Sequence, residues 1–521
     1  MIPLSYRKWL WSVTLLFVTL YTHLYRLGLD FVHNDAFHIK YWSFEFWDRF
    51  IHLHFDKLFL IIQPAVLTVW FNILGWKILN LFIKVGVIPS ITGKEYELYL
   101  HIFQKIPQSV FIVLLTFIIY FFIKQVFNSK FAFWVTLIIT IEPFLIYTTR
   151  IIQSDGVLAY LYFLSSIFFV KYLIDLKNIK NIFSISRHSK IILALSGFFG
   201  GLAFIEKSTA FLLIPSVLIL STIFGWIKTK NIKGTLNIIS SCFLYFIPTF
   251  FITAFVMYPS FWGEPLYTLK RMTYDVFILG IKGLEVENFD YTITPHIHSY
   301  FYYFLTLLIR SSPWLKAGLI ILVINYKKFL KNRFLLFLLI FPIIYFSIHE
   351  LGNKKIDRYM STVFIYLAFY SGIGYYYFYE FLSKIKKYKV KFIFNFIFLT
   401  YVFIAMFFLS VNYPAYYDPI FKSVVLKNDY IYDDLSSLSG YIETAEYLKK
   451  KYGANLKVAS SDYKMLYLYY PGEVTEESPI YRPKPDYVLN GCNYRQGEAH
   501  YTKEKDIFVN GLCVKTLYKF N

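Results

Sequence analysis

The sequence has little charge for its length. Only 17% of its 521 residues are Asp, Glu, Lys or Arg, whereas a soluble globular domain carries about 25%. Hydrophobic residues make up 57% of the chain. Apolar runs of about 20 residues, the length that crosses ~30 Å of hydrocarbon at 1.5 Å per residue, recur from Trp9 to Val411. This pattern excludes a string of soluble domains and predicts a polytopic membrane protein.

Acidic residues are nearly absent from one set of the loops between these runs. The net charge is +20, a balance that is also typical of nucleic-acid binding proteins. Here, however, the lysines cluster in short loops on alternate sides of the apolar runs, as the positive-inside rule requires. We therefore predict membrane lipids as the surroundings, no nucleic-acid partner, and a plasma membrane protein with a cytoplasmic N-terminus. An odd number of spans places the C-terminus outside.

The apolar runs predict about eleven transmembrane helices in an all-α membrane domain over residues 1–411. The first is interpreted as a signal anchor, because no small-residue cleavage site follows it. The predicted spans are about 9–28, 105–124, 130–149, 156–174, 190–206, 208–227, 236–258, 313–326, 333–350, 359–380 and 391–411. Residues 28–104 form the first extracytoplasmic loop. Its apolar stretch Leu58–Val87 is interpreted as interfacial helices, with two further spans as the alternative.

Residues 412–521 lack long apolar runs and predict a small extracytoplasmic α/β domain. Residues 444–452 have the pattern of an amphipathic helix, and 456–459, 466–470, 487–489 and 514–518 that of short strands. Cys492 and Cys513 both lie in this domain, where they form either a disulfide or two free thiols. Cys242, the third cysteine, is intramembrane in this topology.

Ionisable side chains at membrane depth cost roughly 2.5–3.5 kcal/mol each, and in this topology they converge on the outer side. They are Asp35, Glu142, Arg150, Asp155, Glu206, Lys207, Arg271, Lys354, Lys355 and Arg358. Arg and Lys at headgroup depth suit a lipid-linked phosphate, and a carboxylate near a hydroxyl suits general base chemistry. Snorkelling and helix-end ion pairs are the alternative explanation for any one of them.

Five short motifs at these positions resemble the GT-C superfamily of glycosyltransferases that use polyprenyl-phosphate sugars, in particular protein O-mannosyltransferases and bacterial aminoarabinose transferases. They occur in order over residues 9–411. They are His33-Asn34-Asp35-Ala36, Gln63-Pro64 with Leu74-Gly75, Arg150 to Asp155, Gly200 to Thr209, and Lys354 to Tyr359. The family often has Asp-Glu in the first motif. Here Ala36 occupies the second position, so Asp35 acts alone or Glu45 or Asp48 supplies the second carboxylate.

The resemblance implies an inverting transfer from a polyprenyl-phosphate-linked sugar to a hydroxyl on a protein, lipid or glycan acceptor. It implies that Asp35 is the catalytic base. It also implies that the donor phosphate is bound by some of Lys207, Arg271, Lys354, Lys355 and Arg358. Glu142, Arg150, Asp155 and Glu206 are expected to shape the site. For Arg150 and Asp155, a structural ion pair between them is the alternative to a direct role in catalysis.

The sequence contains no P-loop, no nucleotide-sugar motif and no strong metal-ligand spacing, so no obligatory cofactor is expected. A divalent metal on Asp35 with Asp155 or Glu142 is the alternative. A transporter or flippase of lipid-linked sugars is the competing function, although such proteins place their charges nearer the middle of the membrane. A non-catalytic scaffold that binds through its outer domain is the third possibility.

Overall fold

The structure is a computed structural model that describes the whole chain except residues 1–3, 29–31, 33, 60–63, 177–184, 275–300, 353–354, 385–387, 410–412, 414–415, 422–438, 477–484, 493–500 and 521. The helices before the C-terminal domain are α1 Leu4–Leu24, α2 Asn34–Ile51, α3 Val66–Lys84, α4 Gly93–Val126, α5 Ser129–Ile141, α6 Pro143–Arg150, α7 Ser154–Asp175, α8 Arg187–Glu206, α9 Leu213–Thr229, α10 Ile232–Ser241, α11 Ile247–Met257, α12 Ser260–Gly263, α13 Pro265–Tyr274, α14 Tyr302–Arg310, α15 Pro313–Ile324, α16 Tyr326–Leu330, α17 Arg333–Leu338, α18 Ile340–Leu351, α19 Ser361–Lys384 and α20 Tyr388–Leu409.

Within the described residues, seven helical segments are long and apolar enough to cross a membrane, and nine if two bent pairs are counted as one span each. The bent pairs are α5 with α6, at 63°, and α14 with α15, at 105°. Eight of these nine coincide with predicted spans, and α3 is the ninth. The other three predicted spans form α1, α19 and α20. These are helical but do not meet the same criterion, in part because α19 is rich in tyrosine. The protein is an integral membrane protein with a helical membrane domain.

Helix α7 occupies the centre of the bundle, with 89% of its apolar span buried. Small residues allow the surrounding helices to approach closely. A Cβ on Gly374 in α19 would lie 1.9 Å from the carbonyl oxygen of Gly318 in α15, so these two backbones are in contact. Close approach through small residues is a common way to pack membrane helices. Helix α7 carries Asp155 in its first turn. Because the apolar span of α7 is largely buried, the position of Asp155 in the molecule is fixed.

Helix α3 lies in the stretch that was interpreted as interfacial helices or two spans, and it is a single helix. It runs antiparallel to the first half of α4, because Gly75 contacts Phe103 and Gln104 while Phe71 contacts Phe111. That half of α4 extends to the C-terminal domain, where Lys94 donates to the carbonyl oxygens of Tyr470 and Gly472. Its contacts therefore place α3 at the end of the bundle that carries the C-terminal domain.

The C-terminal domain contains helices α21 Tyr441–Tyr452 and α22 Tyr463–Tyr469 and strands β1 Lys457–Ser460, β2 Glu473–Glu476, β3 Tyr487–Asn490, β4 Tyr501–Val509 and β5 Leu512–Phe520. The strand order is β2-β1-β3-β5-β4. Strand β1 is parallel to β2 and β3, whereas β5 is antiparallel to β3 and β4. The predicted α/β fold is confirmed, but the strand predicted at 466–470 is wrong. That segment belongs to α22, because a short apolar run does not distinguish a strand from a buried helical turn.

Cys492 and Cys513 form a disulfide, with their Cα atoms 6.0 Å apart. This resolves the two alternatives that the sequence left open. Cys242 is a buried free cysteine. The predicted boundary between the two domains, at 411 and 412, lies outside the described residues.

Candidate functional site

Asp35 is the second residue of α2, at the amino end of the helix, where the macrodipole favours a negative charge. Its Oδ2 atom accepts a hydrogen bond from Gln153 Nε2 at 2.8 Å and one from Arg358 Nη2 at 2.9 Å. The side chain remains 42% exposed. Asp35 is therefore a carboxylate that two donors from distant parts of the chain orient, while much of its surface stays accessible.

Arg358 connects Asp35 to a second, buried carboxylate. Its Nε atom lies 3.4 Å from Asp155 Oδ2, and Asp155 Oδ1 accepts a hydrogen bond from Lys207 Nζ at 2.5 Å. Asp155 and Lys207 are only 1% and 4% exposed. We call these four alternating charges, Asp35, Arg358, Asp155 and Lys207, the charged chain. It leads from the interior of the protein to an accessible carboxylate.

The charged chain keeps Arg358 protonated. Burial disfavours the charged guanidinium, but the carboxylates of Asp35 and Asp155 outweigh burial and raise its pKa above the ordinary value. Lys207 also lies over the ring of Tyr359, with Nζ 3.8 Å from the ring centre. The two cations are thus held in place by carboxylates and an aromatic ring, which is the preorganisation that an electrostatic site requires.

All four residues of the charged chain lie where an element begins or ends. Asp35 and Asp155 are in the first turns of α2 and α7, Lys207 directly follows α8, and Arg358 lies in a 3-10 turn before α19. A second buried ion pair fixes that turn. Arg310 Nε donates to Asp357 Oδ2 at 3.0 Å, and Arg310 Nη1 donates to the carbonyl oxygen of Tyr416 at 2.9 Å.

Three of the residues expected to shape the site, Arg150, Glu142 and Glu206, make buried hydrogen bonds that join separate elements. Arg150 does not pair with Asp155: it donates to the carbonyl oxygens of Thr22 and Tyr25 at 2.8 and 3.0 Å, and so ties α6 to the end of α1. The reason is that Asp155 already has two cations. Glu142 accepts from the backbone N–H and the hydroxyl of Ser312.

Glu206 caps the start of α3. Its Oε2 atom accepts from the backbone N–H groups of Leu67 and Thr68 at 3.0 and 3.2 Å. The hydroxyl of Thr68 donates to its Oε1 atom. Glu206 therefore joins α8 to α3, one residue before Lys207.

The other predicted phosphate-binding residues differ in how available they are. Lys355 Nζ donates to the carbonyl oxygens of His349 and Glu350; burial lowers its pKa, which Glu350 partly opposes. Lys354 lies outside the described residues. Arg271 is carried by α13, and within the described part of the chain its buried Nε atom has no hydrogen-bond partner. The same holds for the buried hydroxyl of Ser208, the neighbour of Lys207.

Sequence reasoning missed two groups of polar residues. Gln153, inside the quoted Arg150 to Asp155 motif, was not singled out, and neither was Arg310. A buried polar layer between α2, α3 and α4 was also missed. Among the described residues, Lys40 Nζ, Asn72 Oδ1 and both amide atoms of Gln104 are buried without hydrogen-bond partners. A polar residue inside an amphipathic or apolar helix was the available signal.

Glu45 and Asp48, the two candidates for a second carboxylate, have partners on their own helix. Glu45 pairs with Arg49 and Asp48 with His52, each one turn further along α2. Asp35, Asp155 and Glu142 do not form a metal-compatible group among the described residues. The group of three that does is Cys492, Asp506 and Cys513. Its two sulfur atoms are bonded to each other and are not thiolate ligands.

No protein-family model matches the chain, and no curated protein matches it. Solved structures similar to it include ArnT from Cupriavidus metallidurans bound to undecaprenyl phosphate, at 10% identity and a TM-score of 0.46, over 89% of this chain and 85% of that one. The apo oligosaccharyltransferase of Archaeoglobus fulgidus matches at 13% and 0.46, over 92% of this chain and 62% of its own. Archaeal AglB from the same organism, in complex with an inhibitory peptide and a dolichol-phosphate, matches at 11% and 0.42, over 90% and 64%.

The first of these proteins is an aminoarabinose transferase, one of the two groups that the sequence motifs resemble. At 10–13% identity and TM-scores below 0.5 the similarity is distant. The function is therefore argued from the residues of this protein.

Proposed function

We propose that this protein is a membrane glycosyltransferase that moves a sugar from a polyprenyl-phosphate donor to a hydroxyl acceptor. The observation that carries the proposal is the charged chain. It joins an accessible carboxylate to buried cations at one end of a membrane-spanning bundle. A lipid-linked phosphate reaches such a position laterally from the membrane, while a hydroxyl acceptor approaches from the aqueous side.

In the proposed reaction, Asp35 takes the proton of the acceptor hydroxyl while the hydroxyl oxygen attacks the anomeric carbon of the sugar. A new glycosidic bond forms on one face, and the bond from the anomeric carbon to the phosphate oxygen breaks on the other. The configuration inverts and polyprenyl phosphate leaves. The hydrogen bonds from Gln153 and Arg358 orient the Asp35 carboxylate. Its 42% exposure lets an acceptor hydroxyl come within the hydrogen-bond distance that a general base requires.

The leaving phosphate needs cations beyond those of the charged chain, because the two carboxylates and two cations in that chain cancel. Arg271 supplies a further cation, and Ser208 supplies a hydrogen-bond donor. Helix α13, which carries Arg271, packs against the turn Ser208–Leu212 that follows Lys207. The buried guanidinium Nε and the buried hydroxyl both lack a protein partner among the described residues. Donors of this kind stabilise the charge that develops on a leaving phosphate.

The sugar of the donor would lie against the buried polar layer of Lys40, Asn72 and Gln104. Gln104 is one helical turn from Gln108, which donates to the carbonyl oxygens of Thr149 and Ile151 at 3.0 and 2.6 Å. Gln153, the donor to Asp35, follows two residues after Ile151. Sugar hydroxyls pair well with amide and ammonium groups, and buried polar groups without partners are costly unless a ligand or water satisfies them.

The positive-inside pattern places this end of the bundle on the extracytoplasmic face, so we propose that the transfer occurs there. The C-terminal domain lies on the same end and would contribute to acceptor binding. The transfer assay identifies the sugar, the acceptor class and any metal requirement.

The test is transfer by the full-length protein in lipid nanodiscs, with a radiolabelled polyprenyl-phosphate sugar and a hydroxyl-rich acceptor extract. Asp35→Asn should lower transfer by about 10²–10⁴-fold, the usual contribution of a general base. The matched control is Asp48→Asn, on the same helix and exposed, which should transfer at the normal rate. An Asp35→Asn protein with full activity contradicts the assignment.

The competing function, movement of intact lipid-linked sugar, is distinguished in the same preparation. The protein is reconstituted in liposomes with the donor in one leaflet. Flippase activity is measured as donor that becomes accessible from the other side of the bilayer. Label on acceptor together with free polyprenyl phosphate indicates the transferase. Donor that crosses the bilayer with its sugar attached indicates the flippase.

A further inference from the structure

A second polar region lies at the end of the bundle opposite the charged chain. Helix α7 begins next to Asp155 and reaches Lys171 about 24 Å further along, at 1.5 Å per residue. A pocket of about 550 Å³ opens there. Three separate segments line it: the end of α4, the end of α7 and the loop between α16 and α17. Its depth in the bundle corresponds to the other membrane interface.

The pocket is strongly basic. Its lining includes Lys171, Lys328, Lys331 and Arg333, and no carboxylate is among the described residues that line it. Lys171 has a partner, since its Nζ atom donates to Asp175 Oδ1 at 2.6 Å. Lys228 lies close enough to Arg333 for their charges to repel. Like charges held together are unfavourable, and an anion bound between them offsets that repulsion.

The remainder of the lining is apolar except for Asn332, whose side chain accepts from the backbone N–H of Phe334 at the start of α17. Phe127 stacks on Phe131 with ring centres 4.1 Å apart and meets Phe334 edge-on at 5.5 Å. Val126 and Ile174 complete this wall. A free anion would use only the cations, whereas a ligand with a phosphate and adjoining alkyl groups would use both surfaces. The volume is within the range of about 300–1,000 Å³ of small-molecule sites.

We propose that this pocket binds the headgroup of an anionic phospholipid. The phosphate lies among Lys328, Lys331 and Arg333, and the glycerol and first acyl carbons lie against Val126 and Phe334. Basic pockets between membrane helices on the cytoplasmic side recognise lipid headgroups in this way. The proposal is independent of the sugar-transfer reaction, because the pocket is separated from the charged chain by the length of α7.

Ordinary positive-inside lysines provide the comparison that the test needs. Lys230, Lys233 and Lys384 are exposed cations at or next to helix ends on the same end of the bundle, and none of them lines the pocket. Replacing them removes the same three charges as replacing the pocket cations. The difference between the two triple variants therefore measures the pocket itself and not the general attraction to anionic lipid.

The experiment uses full-length protein purified in detergent and titrated with phosphatidylglycerol, phosphatidylcholine or inorganic phosphate. Lipids retained are counted by native mass spectrometry, and the unfolding temperature is followed in parallel. We expect wild-type protein to retain one phosphatidylglycerol molecule. The triple variant Lys328→Ala, Lys331→Ala and Arg333→Ala should lower the affinity for this lipid about tenfold or more. The triple variant at Lys230, Lys233 and Lys384 should behave as wild type.

Equal loss of lipid in both triple variants overturns the proposal, since it indicates diffuse attraction. Inorganic phosphate that raises the unfolding temperature as much as phosphatidylglycerol also overturns it, in favour of a free-anion site. Should the pocket variant fail to fold, the single change Arg333→Gln serves in its place, with Lys233→Gln as control. The charge-conserving pair Lys328→Arg and Lys331→Arg should retain the lipid.

Discussion

At the scale of single residues, the position of Asp155 decides how the site works. Its side chain is 1% exposed and it faces two cations, Lys207 and Arg358, so its charge is needed to keep both of them inside the protein. Removing one partner of a buried ion pair strongly destabilises the folded protein, even though the intact ion pair contributes little net stability. Asp155 is thus a positioning residue for the cations, while Asp35, at the accessible end, is the group proposed to contact the acceptor.

Asp155→Asn should therefore destabilise the protein by about 3–5 kcal/mol, because Lys207 loses its ion pair and Arg358 loses one of two. The measurement is detergent unfolding of the full-length protein. Combining Asp155→Asn with Lys207→Met should recover part of that loss. Asp175→Asn, which breaks the partly exposed pair with Lys171, is the control and should cost less than about 1 kcal/mol. Equal effects of the two Asn variants would contradict this role.

Arg271 gives a kinetic prediction. Because its buried Nε atom has no described protein partner, it is free to bind the donor phosphate. Arg271→Gln should raise the KM for the polyprenyl-phosphate sugar about tenfold or more while leaving the KM for the acceptor near normal. Lys270→Gln, one residue earlier on the same helix, is the control. An unchanged donor KM would remove Arg271 from the site.

At the scale of elements, the site is assembled from helix ends. The first turns of α2 and α7, the residue after α8 and the turn before α19 meet at one end of the bundle. Helix ends leave backbone groups without intrahelical partners, and side chains are one means of satisfying them. Glu206 shows this directly, because its carboxylate accepts from the first N–H groups of α3. The cap of α3 and the cation Lys207 are consecutive residues.

Glu206→Ala should therefore have an effect on both the helix and the site. Two backbone N–H groups and the hydroxyl of Thr68 lose their acceptor, at a cost of about 1–3 kcal/mol. Hydrogen exchange should accelerate at residues 66–70, and transfer should fall because Lys207 is less firmly held. Glu206→Gln keeps a carbonyl acceptor and should retain most of the protection. Unchanged exchange in the Ala variant would show that the cap does not stabilise α3.

At the scale of the whole molecule, the C-terminal domain is joined to the end of the bundle that bears the charged chain. Tyr469 OH donates to the carbonyl oxygen of Gly28 at 3.2 Å, and Lys94 bonds the turn after α22. Lys316 donates to Asp418 Oδ2 at 2.6 Å. These contacts come from α22, from the turn after it and from the described segment that precedes the domain. They join the domain to the end of the bundle that bears Asp35.

Glu504 predicts how this domain responds to pH. It accepts hydrogen bonds from Lys451, Tyr452 and Tyr447, and the first two lower its pKa most, to about 2. Since the folded pKa lies below the ordinary value of 4.5, Glu504 contributes stability above pH 4.5 and loses it as the pH falls toward 2. Hydrogen exchange at residues 441–452, corrected for its intrinsic pH dependence, should accelerate over that interval. Glu504→Gln should show a weaker pH dependence, and identical profiles would contradict the prediction.

The sequence by itself determined the features that depend on composition and local pattern. Apolar length and lysine distribution predicted most of the spans, and the change of composition after Val411 predicted the α/β domain. Local motifs also identified Asp35, Asp155, Lys207 and Arg358, because charged residues inside apolar surroundings are costly and therefore conspicuous. What these signals have in common is that each can be read within about 20 residues.

The tertiary structure decided which of these charges meet. Asp155 pairs with Lys207 and Arg358 and not with Arg150, although Arg150 is only five residues away. Gln153 and Arg310 became site residues through partners more than 40 positions distant. Residues 466–469 are helical although they were predicted as a strand, because a short apolar run does not distinguish a strand from a buried helical turn. Side-chain pairing across helices depends on the crossing of whole elements, and that information is distributed over the chain and absent from any single motif.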